Sequence, residues 1–126
     1  MTDHQFQYAI VRVVPRVERG ECLNAGVILL CRPQRFLAAA VGLDRERLAA
    51  LAPGLDPTAI EDHLAAIERI ARGDADAGPI GRLGQGERFH WLVAPSSTVI
   101  QPSEVHTGLC GDPAAELAHL FERLVR

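Results

Sequence analysis

The chain has 126 residues, 48% of them hydrophobic and 23% charged, with a net charge of −3. That balance excludes a disordered or fibrous protein and predicts one globular domain over residues 1–126, large enough for a core without staples. The pI is near 5.9 and all 13 basic residues are arginine. No overall field favours the phosphate backbone, so no nucleic-acid partner is expected.

Cys22, Cys31 and Cys110 are odd in number and widely spaced, which points away from a disulfide framework and towards a reducing compartment. The first ten residues, MTDHQFQYAI, do not place a basic segment before an apolar run, and no apolar stretch approaches the ~18 residues of a membrane span. A cytoplasmic protein with no membrane partner is expected.

In chain order, Gln5–Val14 (QFQYAIVRVV) is β-rich, with Phe6, Tyr8, Ile10 and Val14 on one face together with Arg12. Pro15 ends it, and Arg16–Asn24 reads as a charged loop. Ala25–Cys31 is apolar on both faces, as a central strand is. A tight turn at Arg32-Pro33-Gln34-Arg35 leads to a small-residue strand, Phe36–Val41.

Two helices follow. Asp44 caps the first, with Leu43 packing on Leu48. Asp56 caps the second, with Pro57 at its first position and Leu55 stapled to Ile60. The second helix sets Ile60, Leu64, Ile67 and Ala71 on one face. Gly73–Gly86, with five glycines, reads as a surface loop.

Arg88–Ala94 is expected as a strand with Phe89 and Trp91 together in the core, and Thr98–Gln101 as a further short strand. Asp112-Pro113 opens a last helix, whose Leu117, Leu120, Phe121, Leu124 and Val125 form an amphipathic stripe. The order β-β-β-α-α-β-(β)-α predicts an α+β fold, a mostly antiparallel sheet with helices on one face.

Three pieces carry a family likeness: YAIVRVVPRVERGECLNAGVILL, FHWLVAPSSTVIQPSEVHTGLCGDP and ELAHLFERLV. Through them the chain resembles a small bacterial family catalogued as domain of unknown function 3037, over Tyr8 to Val125. The resemblance implies no reaction. It implies a partner, a kinase-like protein of the HipA type encoded alongside, and marks as family-like Arg12, Arg19, Gly20, Glu21, Asn24, Ser97, Thr98, Gln101, Pro102, His106 and Cys110.

The residues themselves support two main readings. A lone Arg12 on an apolar strand face needs a carboxylate, Glu21 or Glu18, or else an anionic ligand. Glu21 and Asn24 more readily tie down their own loop than reach a ligand. The first reading is a protein-interaction or accessory module using the Arg16–Asn24 and Pro95–Gly111 loops. The second is a small anionic-ligand site built from Arg12, Arg19 and His106, with the Ser97 and Thr98 hydroxyls, Gln101, Glu21 and Asn24 around it. In that site Arg12 would stand close enough to His106 to favour the neutral imidazole.

A hydrolase or nuclease trails behind. Ser96, Ser97, Thr98 and His106 lack a G-x-S-x-G elbow and a carboxylate placed to orient the histidine. His90, His106, Cys110 and His119 lack the paired spacing of a zinc site, and Gly81–Gly86 lacks the lysine of a phosphate loop. No metal, cofactor or catalytic residue is assigned.

Overall fold

The computed structural model describes residues 3–96 and 98–126. Its five strands are β1 (His4–Val13), β2 (Leu23–Cys31), β3 (Phe36–Val41), β4 (Ile100–Pro102) and β5 (His106–Cys110). Its helices are α1 (Arg45–Leu51), α2 (Pro57–Arg72), α3 (Gln85–Leu92) and α4 (Pro113–Leu124). Every strand pairing is antiparallel.

The sheet runs β3-β2-β1, and β4 and β5 both pair with the outer side of β1. β4 matches Val11–Val13 and β5 matches His4–Tyr8. They act as one edge strand with a break at Ser103–Val105. The break is held by reciprocal bonds: the Ile10 amide donates to Ser103 Oγ, and the Ser103 amide donates to the Ile10 carbonyl, both at 2.8 Å.

β2 is the centre of the molecule because both its faces are apolar. Val27, Ile28, Leu29 and Leu30 are each at most 1% exposed. Ile28 and Leu30 join Leu48, Leu64, Ile67 and Phe89, which places α1, α2 and α3 on one face. Val27, Leu29 and Cys31 join Leu117, Leu120 and Val125, which places α4 on the other. The class is α+β as expected, with three of the four helices sharing a face. Between Val11↔Gly26 and Arg12↔Asn24 the register shifts by one residue, so Ala25 is the extra residue of a β-bulge.

The helix starts follow their sequence signals. Asp44, Asp56 and Asp112 each accept a hydrogen bond from a first-turn amide, those of Arg47, Thr58 and Ala114. Ile60, Leu64, Ile67 and Ala71 are all buried.

One element corrects the sequence reading. Arg88–Ala94 is not a strand: residues 85–92 form α3. The bulky run FHWLV suggests β, but its buried residues, Arg88, Phe89 and Leu92, sit at helical spacing. Two residues apart on a helix, Phe89 and Trp91 face different ways. Phe89 is 4% exposed and Trp91 is 51% exposed, so Trp91 is not in the core. The stretch 73–86 also holds more structure than a loop, with two 3-10 turns at Ala75–Ala77 and Ile80–Arg82 before α3 begins. The last strand, β5, lies where the sequence reads as a polar loop.

Candidate functional site

Strand register brings three of the sequence-selected residues into one row. Arg12 on β1 faces Asn24 on β2 and Gln101 on β4. Directly opposed residues share a face of the sheet, and for Arg12 that is the face of Phe6 and Tyr8, where α4 packs. Asn24 Nδ2 donates to the Leu124 carbonyl at 3.0 Å, tying the end of α4 to β2. Gln101 Nε2 donates to the Thr98 carbonyl at 2.8 Å.

Arg12 is half-buried, and its Nε is shielded from solvent with no hydrogen-bond partner among the described residues. Glu21 does not neutralise it. The Glu21 carboxylate instead takes the Arg19 Nε–H at 2.6 Å. That contact holds the Glu21 carboxyl below its usual range and raises Arg19. The pair is exposed and lies beside Ala50 and Leu51 of α1.

His106 lies on the same face as Arg12 but not beside it. It faces Tyr8 across β1 and β5, with ring centroids 5.2 Å apart. Tyr8 and Arg12 are four residues apart on β1, about 13 Å at strand rise. The expected juxtaposition of Arg12 and His106 is therefore not formed. The acidic neighbour of His106 is Glu104, at 3.6 Å.

Thr98 is committed to its own turn. Its hydroxyl donates to the Ile100 carbonyl at 2.8 Å, so at its 2.9 Å contact with Ser96 the Ser96 hydroxyl is the donor. Ser97 lies outside the described residues. Of the eight selected positions, Arg12, Asn24, Gln101 and His106 share one face, and Arg19 and Glu21 pair elsewhere. Among the described residues no group of three or more His, Cys, Asp or Glu is arranged to hold a metal ion.

The sequence reading missed the outer edge. β5 contributes His106, Thr107, Gly108, Leu109 and Cys110, and nothing among the described residues pairs with its far side. Phe6 packs across it: a side-chain carbon at Gly108 would stand 2.7 Å from the Phe6 ring, so only glycine fits. On the opposite face, Leu109 is 67% exposed and Val105 just before the strand is 38% exposed. Leu109 and Thr107 face Gln5 and Gln7 of β1, which gives an uncharged patch that the helices leave open. The signal available in sequence was the alternation of His106, Gly108 and Cys110 inward with Thr107 and Leu109 outward.

A five-stranded antiparallel sheet with three helices on one face and one on the other defines a small α+β domain. The chain belongs to the family described as protein of unknown function (DUF3037), whose model matches residues 8–125. No curated protein and no solved structure matches the chain. Among the described residues no helix is long and apolar enough to cross a membrane.

Proposed function

We propose that this protein is a bacterial accessory module of the cytoplasm that docks a protein partner through the β4–β5 edge, the partner being a kinase-like protein. The observation that carries the reading is Leu109. An uncharged edge strand that no other strand covers among the described residues, carrying a leucine two-thirds exposed, is what natural sheets ordinarily avoid, by placing charge, proline or a bulge there or by covering the edge. From Val105 to Cys110 there is no Asp, Glu, Lys, Arg or Pro. An added strand would take up the free backbone groups, with Leu109 and Val105 as its side-chain anchors. The three free cysteines suit a reducing compartment. Co-expression with the kinase-like protein should give a complex that co-elutes on size exclusion. Leu109→Glu, at an exposed position, should dissociate it without changing the far-ultraviolet circular dichroism.

Arg12 favours a second reading, a small anionic ligand on the α4 face. Its Nε is buried without a partner among the described residues, in a row with two amide side chains, and a carboxylate or phosphate would satisfy it. Isothermal titration with inorganic phosphate and with acetate tests this. Binding that is lost in Arg12→Met supports it, and no heat with either anion removes it.

A further inference from the structure

We infer that the cleft between α2, the end of α3 and the Thr98–Pro102 segment binds a compact, neutral, planar molecule, with Trp91 forming one wall. The cavity is about 300 Å³, the lower end of the size range for small-ligand sites. Its floor is the sheet itself, at Val11 and Ile28, and its sides include Ile67 and Leu92. His63 of α2 and Thr98 stand at its rim, and both also border a second cavity of about 400 Å³ along α2.

Three features specify the class of ligand. First, among the described residues no Asp, Glu, Lys or Arg lines the 300 Å³ cavity, and the adjoining one adds only Asp56. The Asp56 carboxylate already accepts from the Thr58 amide. An anion would find no counter-charge here, and a strongly charged group would lose its hydration without replacement. Second, Trp91 is half-exposed directly beside this apolar floor, where an aromatic ring offers a stacking face to a flat molecule. Third, the Ser96 and Thr98 hydroxyl protons are both used within the turn. Those oxygens can then only accept from a ligand, and the His63 imidazole remains able to donate or accept. The site is separate from Arg12 and His106, which lie on the opposite face of the sheet. It touches β4 at Ile100 and Pro102, but neither Val105 nor Leu109, the side-chain anchors of the proposed docking edge, lines it.

The test uses prodan, a neutral naphthalene bearing a ketone, and a sulfonated anilinonaphthalene as its anionic counterpart. Trp91 is the only tryptophan, so its emission reports the site directly. Prodan should bind saturably at one site, quenching Trp91 with sensitised dye emission. Ala94→Trp, at an exposed rim position, and Trp91→Ala should each weaken binding by roughly tenfold or more, as loss of an aromatic wall or of access implies. Their thermal melting should match the parent. Any of three results overturns the proposal: no saturable prodan binding up to its solubility limit, saturable binding without quenching of Trp91, or affinity unchanged in both variants. Equal or tighter binding of the sulfonated dye contradicts the assignment to neutral ligands.

Discussion

The guanidinium of Arg88 packs closely against Gly73. A side-chain carbon there would stand 3.2 Å from Arg88 Cζ. Gly73 ends α2 in the left-handed conformation, with φ of 75°, and Arg88 reaches in from α3 to donate to the carbonyls of Ala71 at 3.2 Å and Leu83 at 2.6 Å. A buried cation thus satisfies an orphan carbonyl at a helix C-terminus and complements its dipole. Arg88→Met should cost about 1–3 kcal/mol through the carbonyls it leaves unpaired. Gly73→Ala should cost roughly 1–2 kcal/mol from its backbone conformation alone. Urea denaturation of both single variants and the double variant measures their coupling, which should be non-zero because the two residues are in contact.

Cys110 gives the protein a predictable alkaline limit. Burial, and then the neighbouring Cys31 thiol, pushes the Cys110 thiol up from 9.0 to about 11. A raised folded-state value means that the native protein keeps a proton which the unfolded chain loses. The contribution is fully present below about pH 9 and disappears as pH rises through 11. Denaturation midpoints between pH 8.5 and 11 should fall more steeply for the parent than for Cys110→Ala, at buffer values chosen around the usual ~8.5 thiol range. Identical slopes would show that the thiolate is solvated in the native state.

Ser103 holds the break between β4 and β5 by taking the Ile10 amide on its hydroxyl while donating to the Glu104 carbonyl. It is 5% exposed. Ser103→Ala leaves a buried amide unpaired and should destabilise the fold by about 1–3 kcal/mol. Hydrogen exchange of the Ile10 amide should accelerate in the same variant, and unchanged protection would mean that water replaces the hydroxyl.

The legible parts of the sequence were those with a strong local signal. Asp-capped starts, the Ile60–Ala71 and Leu117–Val125 stripes and the doubly apolar β2 each fix their own structure. Arg88–Leu92 failed because bulky residues mimic a strand, while the deciding feature, Arg88 closing the far end of α2, is a contact with a helix that ended sixteen residues earlier. β5 was hidden because an edge strand needs little apolar content, and its partner β1 lies about a hundred residues away in sequence. For the selected polar residues, sequence could set Arg12 on a strand face. Only register could set Gln101 and Asn24 beside it and leave His106 four positions away.

The most direct test of the interaction account is hydrogen exchange on the co-purified complex with the kinase-like protein. The backbone amides from Val105 to Cys110 should gain protection in the complex, and Leu109→Glu should lose at least about tenfold in affinity, as expected for a central apolar anchor. Arg12→Ala should leave that affinity unchanged. A complex that survives Leu109→Glu together with Val105→Glu, with its protection on another face, would contradict it.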